Sequence, residues 1–214
     1  MGAITRKEKE REIRRKDIID AAEKIFFAKG FGYATMDDVA KAAEFSKRTV
    51  YVYFRSKEQL YFEIMIRGYK LLNGMCEKAL GESGGNSGTD KLRLLGKTLI
   101  DFEHRHPEYF KAIMDYENGD MDFDNNDDKS MEECYREGER LFGFLKDALY
   151  QGIKEGTVLA GIDVISTALA LWASMVGVLN TSRRKEKYLL HYHNRTPEKL
   201  IEEAFTLLLR SIEK

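Results

Sequence analysis

The chain has few residues of the kinds that would cross-link it or interrupt helices. Its 214 residues include only two cysteines and two prolines. Cys76 and Cys134 lie far apart and match no metal-ligand spacing, which argues against a disulfide-dense secreted scaffold and indicates ordinary packing in a reducing compartment. Because prolines are scarce and Leu, Ile, Ala, Lys and Glu are abundant, the composition favours helix.

The sequence also lacks an uncharged apolar run of about 18 residues, the length that a membrane-spanning helix needs. Its longest apolar stretch, Val164–Leu179, is interrupted by serine and threonine residues and is interpreted as a buried helix. The charged segment from Arg6 to Lys16 does not resemble a secretory signal, which requires an apolar middle region. These absences predict a cytoplasmic protein with no membrane partner.

Patterns typical of catalysis or metal binding are incomplete. The G-x-S-x-G pattern at Gly81–Gly85 has no apolar strand before it, as a hydrolase nucleophile would require. The alternating aspartates at 120–124 lack the glycine and the final glutamate of a calcium loop. The histidine pairs, His104/His106 and His191/His193, have no obvious third ligand. We therefore predict no catalytic residues, no metal site and no cofactor, and expect that the protein is not an enzyme.

Charge is unevenly distributed along the chain, although the net charge is only -1. Residues 1–57 contain 14 Lys and Arg against 9 Asp and Glu, a net charge of +5, which leaves -6 for residues 58–214. A basic N-terminal quarter on an acidic body is typical of a polyanion-binding module on a carrier. A solvated, charged helix face would explain the size of this charge difference as well. It would not explain why the basic residues coincide with the motif described next.

Apolar spacing and capping residues predict an all-α fold of about nine helices with no strand. The first helix is expected over residues 14–29, with Gly30 ending it in the left-handed conformation. Residues 1–12 are expected to form a frayed tail; the alternative is a basic arm that follows DNA phosphates through Arg6, Lys7, Lys9 and Arg11. Gly81–Gly88 and the acidic segment 117–128 are interpreted as loops. Residues 182–195 are basic and aromatic and show no clear pattern.

The segment from Thr35 to Lys57 has the pattern of a helix-turn-helix. Thr35 is placed to cap one short helix, with Asp38 completing a capping box, and Ser46 is placed to cap the next. Ser56 and Gln59 have the spacing of a further capping box, which opens a long fourth helix. Two short helices joined by a tight turn put the second helix into the DNA major groove.

These residues resemble the DNA-binding region of the tetracycline-repressor (TetR) family of bacterial transcriptional regulators. The resemblance covers about residues 14–62 and agrees in spacing and residue type across four helices. The residues that carry it are Phe26, Gly30, Phe31, Thr35, Val39, Ala40, Ala43, Ser46, Lys47, Thr49, Val50, Tyr51, Tyr53, Phe54, Ser56, Lys57, Glu58 and Leu60.

The resemblance implies a set of DNA-contacting side chains. Thr35 resembles the cap that meets phosphate, and Lys57 resembles a phosphate-binding lysine at a helix N-terminus. Arg48 stands on the recognition helix where the family often has a small residue, and it is therefore the candidate to read guanine. The chain departs from the family at Glu44, where glycine is usual, and at Val52, which can make only apolar contacts. The implied DNA-binding set is Thr35, Ser46, Lys47, Arg48, Thr49, Tyr51, Tyr53 and Lys57.

Three of these residues have simpler interpretations that the sequence leaves open. Tyr53 fits half-buried packing, Ser46 fits a cap without base contact, and Lys57 fits a solvated surface lysine.

The resemblance also implies two domains with separate functions. Residues 1–57 would form the helix-turn-helix domain, and residues 58–214 a helical domain for effector binding and dimerisation. The predicted function is a ligand-responsive regulator, a repressor released from a palindromic operator in double-stranded DNA by a small apolar or amphipathic effector. The homodimer is expected to form through helices around 163–181 and 197–212. Candidate ligand-binding residues are Phe102, Tyr109, Phe142, Trp172 and Met175.

Two alternatives belong to other classes. A small helical enzyme or carrier with a helix-turn-helix-like N-terminal bundle would need an acid–base or metal constellation, and no convincing one is found. A helix-turn-helix used only for protein contact predicts an acidic or apolar outer face, which the basic pair Lys47 and Arg48 argues against.

Overall fold

The structure, a computed structural model, describes residues 5–82, 87–117 and 129–214. Within these ranges there are ten α-helices and no β-strand, which confirms the all-α prediction. The helices are α1 (Arg6–Lys29), α2 (Met36–Ala42), α3 (Lys47–Tyr53), α4 (Lys57–Glu82), α5 (Gly88–Arg105), α6 (Pro107–Glu117), α7 (Lys129–Glu155), α8 (Val164–Arg184), α9 (Glu186–His193) and α10 (Pro197–Arg210). Most of the predicted acidic loop and the middle of the predicted glycine-rich loop lie outside the described residues.

The chain forms two compact units. Among the described residues, the first comprises those within 1–68 and 111–136, and the second comprises those within 69–110 and 137–214. The first unit therefore contains α1–α3 with the start of α4, whereas the second contains α5 and α8–α10. The predicted boundary after Lys57 concerns function and stays a prediction.

The core of the first unit is built from the predicted apolar faces. Ile18 and Ala22 of α1, Val39 of α2 and Val50 of α3 are all fully buried. Their spacing at helical intervals is what lets three helices share one core. Phe54, directly after α3, is also buried and closes that core.

The start and the end of α1 differ from the predictions. The helix begins at Arg6 rather than near residue 14, because Thr5 and Glu8 form a capping box that starts it earlier. The segment predicted as a frayed tail is thus helical from Arg6, and residues 1–4 lie outside the described part. Gly30 has a φ of 77° but a ψ of 154°, so it is not in the left-handed helical conformation. Phe31 nevertheless packs back on Phe26, with 5.8 Å between ring centroids.

The N-terminus of α2 is capped as predicted. The Thr35 hydroxyl accepts a hydrogen bond from the Asp38 backbone N–H at 3.1 Å, and Asp38 accepts one from the Thr35 N–H at 3.1 Å. Lys29 also reaches Asp38, with 2.7 Å between Nζ and Oδ1. The Lys29 ammonium, together with the hydroxyl and N–H of Thr35, lowers the pKa of Asp38 from 3.8 to about 2.

The turn between α2 and α3 is made by a residue in a strained conformation. Glu44 has a φ of 59°, a left-handed conformation that costs a non-glycine residue about 1–2 kcal/mol. The Glu44 and Phe45 N–H groups donate to the carbonyls of Lys41 and Ala40, so the α2 C-terminus is satisfied there. The departure from glycine noted in the sequence therefore falls on a backbone position that favours glycine.

The fourth helix opens with half of the predicted capping box. The Gln59 N–H donates to the Ser56 hydroxyl at 3.2 Å, as expected. The Gln59 carboxamide oxygen, however, accepts from the N–H of Arg55 at 2.8 Å, one residue before the predicted partner.

In the second unit, α5 begins two residues before its predicted start. Ser87 caps it and forms a capping box with Asp90. Gly88 packs against α7, because a Cβ at Gly88 would lie 2.1 Å from the Gly152 nitrogen. This glycine therefore permits a close approach of two helices, whereas composition had suggested a flexible loop.

The remaining helices of the second unit follow the predicted caps, with one addition. Asp163 caps α8 and Thr196 caps α10, as expected. The segment that showed no clear pattern contains the end of α8 and the whole of α9, bounded by Asn194 in the left-handed conformation. Glu103 of α5, which is buried, accepts two hydrogen bonds from Arg183 of α8 at 2.8 and 2.9 Å.

The helix α8 is long and apolar enough to cross a membrane by length and composition. Only 33% of its most apolar 18-residue window is buried within the chain. An apolar helix of this kind that is left partly uncovered needs a partner surface.

Replacing Glu44 by glycine should stabilise the protein. Glycine adopts a positive φ without a Cβ clash, so we expect Glu44→Gly to raise the free energy of unfolding by about 1 kcal/mol. The urea midpoint measured by circular dichroism gives this quantity.

The matched control is Lys41→Gly, an exposed position inside α2. Glycine there should lower the free energy of unfolding by about 1 kcal/mol, because the helix interior disfavours it. A loss of stability in Glu44→Gly as well would contradict the assigned strain.

Removing the charge of Asp38 should change how stability depends on pH. Because the folded-state pKa is lowered from 3.8 to about 2, the contribution of Asp38 is fully present above about pH 4 and lost as the pH falls through about 2. We expect Asp38→Asn to lower the urea midpoint at pH 7 and to reduce its fall between about pH 4 and pH 2. A variant that keeps the full acid dependence of the unsubstituted protein would contradict this.

Candidate DNA interface and effector cavity

The helix α3 presents one free face. Val50 is fully buried, whereas Lys47, Arg48, Tyr51 and Val52 are exposed. The N-terminus of the helix is fixed by Ser46, whose hydroxyl accepts from the Thr49 N–H at 3.0 Å. The exposed face thus combines two cations, a phenol hydroxyl and an apolar side chain, groups that can meet phosphates, base edges and a thymine methyl.

Thr49 and Tyr53 are only partly exposed. The Thr49 hydroxyl lies 2.8 Å from that of Ser46, so these two predicted contact residues already bond to each other. Tyr53 has the half-buried position that the simpler interpretation expected. Its hydroxyl is the part that could reach DNA, and this contact stays a prediction.

Lys47 is paired with an acidic neighbour. Its ammonium lies 3.0 Å from an Asp37 carboxylate oxygen, and the hydrogen bond to Asp37 raises the pKa of Lys47. Both side chains are about half exposed, so the pair is solvated and contributes little to stability. Such a lysine can exchange a carboxylate for a phosphate at small cost. Arg48 beside it is exposed as well.

Lys57 has a different local role from the one implied by resemblance. Its Nζ donates to the carbonyls of Phe31 at 2.7 Å and Ala34 at 3.2 Å, and it lies 4.2 Å from the centre of the Phe31 ring. The lysine therefore holds the turn that leads into Thr35. Two of its three N–H groups are engaged, and direct contact with phosphate stays a prediction.

The turn between α1 and α2 also exposes a residue that was absent from the predicted DNA-binding set. Tyr33 is 86% exposed, two residues before Thr35, which is exposed as well. An isolated tyrosine between glycine and alanine has no periodic neighbours, so sequence spacing could not assign it to a surface. Its aromatic ring and hydroxyl extend the possible contact surface at this end of α2.

The second unit contains an apolar cavity of about 50 Å³. It is formed by residues from α4, α5, α7, α8 and α10, and its lining contains no charged side chain. The lining residues are Leu72, Cys76, Leu92, Leu95, Gly96, Leu99, Leu141, Leu145, Leu171, Trp172, Met175, Phe205, Leu208 and Leu209. Pockets for drug-sized ligands usually occupy about 300–1,000 Å³, so a larger effector would have to displace part of this wall.

Two of the five predicted ligand-binding residues, Trp172 and Met175, line this cavity. Phe102, Tyr109 and Phe142 are not among its lining residues. Phe102 is fully buried and packs near His106, with 5.7 Å between rings, while Phe142 lies under the Lys146 ammonium at 5.0 Å. The spacing of leucines in the sequence does not distinguish those that line the cavity from those in the core.

One wall of the cavity depends on a glycine. A Cβ at Gly96 would lie 2.1 Å from the Phe205 ring, so the ring packs directly on the α5 backbone. Burial raises the pKa of the Cys76 thiol to about 12, which keeps this lining residue neutral.

The described residues contain no group of three or more His, Cys, Asp or Glu side chains that could hold a metal ion. His193 instead lies 3.2 Å from the Tyr188 hydroxyl on the exposed helix α9.

Comparison with known proteins agrees with this arrangement. Residues 18–64, which span the second half of α1 through the start of α4, match the family described as bacterial regulatory proteins, tetR family. The chain is 29% identical over 147 residues to the uncharacterized HTH-type transcriptional regulator YhgD of Bacillus subtilis, covering 68% of this chain and 72% of that protein.

A second relative is the Staphylococcus aureus IcaR, a negative transcriptional regulator of the biofilm operon icaADBC. It is 28% identical over 110 residues, and the match covers 51% of this chain and 56% of IcaR, so it spans little more than half of that protein.

The fold extends beyond the matched segment. The fatty acid degradation regulator FadR of Bacillus halodurans superposes with a TM-score of 0.68 at 16% identity, covering 92% of this chain and 94% of FadR. Its likeness concerns the fold alone. The matched segment and the curated relatives show that the DNA-binding part of the chain is that of the TetR family of bacterial transcriptional regulators.

Proposed function

We propose that this regulator is a homodimeric repressor that binds a palindromic DNA operator and is released by a small apolar effector. The observation that carries the proposal is the pairing of two features. A capped, seven-residue helix presents Lys47, Arg48 and Tyr51 to solvent, and a separate unit contains an apolar cavity. IcaR, a relative, is itself named as a negative regulator.

The DNA-binding part of the proposal rests on the exposed face of α3. Arg48 supplies a planar guanidinium that can donate two parallel hydrogen bonds to guanine O6 and N7. The other predicted residues contribute phosphate contacts or caps that orient the helix: Thr35, Ser46, Lys47, Thr49, Tyr51, Tyr53 and Lys57. In this proposal residues 1–57 are the DNA-binding domain.

The effector part rests on the cavity. Because its wall is apolar, a ligand that enters it gains by removing apolar surface from water. Trp172 and Phe205 are partly exposed members of the wall and could move aside for a larger molecule. Residues 58–214 would thus form the effector-binding and dimerisation domain.

The homodimer part rests on the uncovered side of α8 and α10. Ile165 and Leu169 on α8 and Leu207 on α10 are each more than half exposed. Ala173 and Gly177 continue the α8 stripe at four-residue intervals and are exposed too. Two copies of this helix pair would bury the stripe in a four-helix bundle, and small residues allow the backbones to approach closely.

If a second copy of the protein covers this stripe, the apolar surface of α8 is removed from water without a membrane. The proposed protein is therefore a cytoplasmic regulator without a membrane partner or a cofactor, and it is not an enzyme. An enzyme or carrier with a similar N-terminal bundle would instead turn over or carry a small molecule and would fail to bind any duplex at low salt.

Removing Arg48 should weaken specific DNA binding. Operator sequences would be selected by the unsubstituted protein from random duplexes, and dissociation constants measured by fluorescence anisotropy. We expect Arg48→Ala to weaken binding to the selected sequence about 10- to 100-fold, with relaxed preference at one base pair.

The control for this experiment is Lys97→Ala, which removes an exposed cation from the second unit. It should leave affinity and sequence preference unchanged. If Arg48→Ala keeps both the affinity and the base preference of the unsubstituted protein, α3 does not read the operator through Arg48.

Placing charge on the apolar stripe should separate the dimer. We expect Leu169→Glu to shift the mass measured by sedimentation equilibrium from twice 24.7 kDa to 24.7 kDa, because each copy would have to bury an unpaired carboxylate in the proposed interface.

Tyr150→Glu on α7 is the matched control, since Tyr150 is 57% exposed but lies off the stripe. It should remain dimeric. An unchanged mass for Leu169→Glu would show that this face is not the dimer interface.

A further inference from the structure

One ion pair joins the start of α2 to the start of α3. Asp37 lies in the first turn of α2, and Lys47 is the first residue of α3. They are ten positions apart in the sequence, yet the Lys47 Nζ lies 3.0 Å from the Asp37 carboxylate, and both side chains are half exposed. A carboxylate therefore lies at the N-terminus of the helix that is proposed to contact DNA.

The neighbouring carboxylate, Asp38, has a different role. It accepts a hydrogen bond from the Thr35 N–H in the capping box of α2 and pairs with Lys29 at 2.7 Å. The capping box of α2 therefore does not depend on Asp37, which adds only a favourable charge in the first turn. Replacing Asp37 by asparagine consequently tests its contact with Lys47 while the cap is kept.

The contact between Asp37 and Lys47 opposes DNA binding for two electrostatic reasons. Asp37 already accepts a hydrogen bond from the Lys47 ammonium, so a DNA phosphate has to displace a carboxylate before it can bind there. Once displaced, the Asp37 carboxylate remains close to DNA and repels the phosphates. A lysine gains affinity by releasing a counterion from DNA, and this gain is smaller when the lysine already holds an anion.

We propose that Asp37 weakens DNA binding by competing with phosphate for the ammonium of Lys47. The inference rests on the proposed DNA-binding function and adds a residue that lowers its affinity. Because every duplex presents phosphates, the effect applies to the operator and to other sequences alike, while Arg48 still selects the operator. A complex of lower affinity is also released by an effector with a smaller difference in affinity between the two states.

The experiment uses the full-length protein and two duplexes, one selected by the unsubstituted protein from random sequences and one with the selected sequence scrambled. Dissociation constants are measured by fluorescence anisotropy in about 0.1 M salt. We expect Asp37→Asn to tighten binding to both duplexes by about two- to fivefold for each protomer that contacts DNA, the factor that a solvated ion pair contributes.

A double-mutant cycle tests whether Asp37 acts through Lys47. In the unsubstituted protein, Lys47→Ala removes a lysine that is partly neutralised. In the Asp37→Asn background it removes a lysine that binds phosphate without a competitor. The loss of affinity caused by Lys47→Ala should therefore be larger in Asp37→Asn, by about the same two- to fivefold factor.

Asp147→Asn is the control for net charge. Asp147 is exposed on α7 in the second unit, and its replacement changes the net charge of the chain by the same amount as Asp37→Asn. Both dissociation constants should remain those of the unsubstituted protein.

The outcomes distinguish this inference from the proposed function. If Asp37→Asn binds no more tightly than the unsubstituted protein, or if Lys47→Ala has the same cost in both backgrounds, Asp37 does not compete with phosphate for Lys47. An equal gain in Asp147→Asn would attribute the effect to net charge and would overturn the inference as well. These results would leave the proposed DNA binding intact. If neither the unsubstituted protein nor Asp37→Asn binds any duplex, the proposed function is wrong, and this inference falls with it.

Discussion

The placement of α3 depends on the burial of two side chains and on one cap. A helix of seven residues is not stable in water on its own, because too few hydrogen bonds offset the cost of nucleation. Val50 and Phe54 are buried against the first unit, and the Ser46 hydroxyl satisfies an N–H at the first turn. Since Val50 and Phe54 lie four residues apart, they define the inner face and leave Lys47, Arg48 and Tyr51 outside. Any DNA contact made by α3 depends on that arrangement.

An aromatic cluster supports the turn that follows α1. Phe31 packs against Tyr61 with 4.5 Å between ring centroids, and the Tyr61 hydroxyl donates to the Ala112 carbonyl at 3.0 Å. Burial raises the pKa of Tyr61 well above its ordinary value, so this hydroxyl remains a donor. The Lys57 ammonium also lies against Phe31, 4.2 Å from the centre of its ring. The turn that precedes Thr35 is therefore held by packing as well as by its cap, and a lysine assigned to DNA by resemblance also stabilises the structure around it.

Local chemistry made much of the fold predictable. Thr35, Ser46, Asp163 and Thr196 each accept a hydrogen bond from a backbone N–H three residues later, an interaction that sequence spacing specifies. Features that depend on distant residues were not predictable. Gly88 owes its place to Gly152, more than sixty residues away. Trp172 lines the cavity whereas Phe102 does not, although both are aromatic residues at helical spacing, because the difference lies in which neighbouring helices leave a gap.

The helix α8 connects the two activities proposed for the second unit. Leu171, Trp172 and Met175 face the cavity, while Leu169 and Ala173 lie on the exposed stripe of the same helix. A ligand that displaces the cavity wall therefore acts on the element that would carry the dimer contact. A ligand changes the balance between two dimer arrangements only through its difference in affinity for them, and a tenfold difference corresponds to about 1.4 kcal/mol. A ligand whose contacts with Leu171, Trp172 or Met175 differ between the two arrangements would therefore bias the helix whose other face carries the proposed dimer contact.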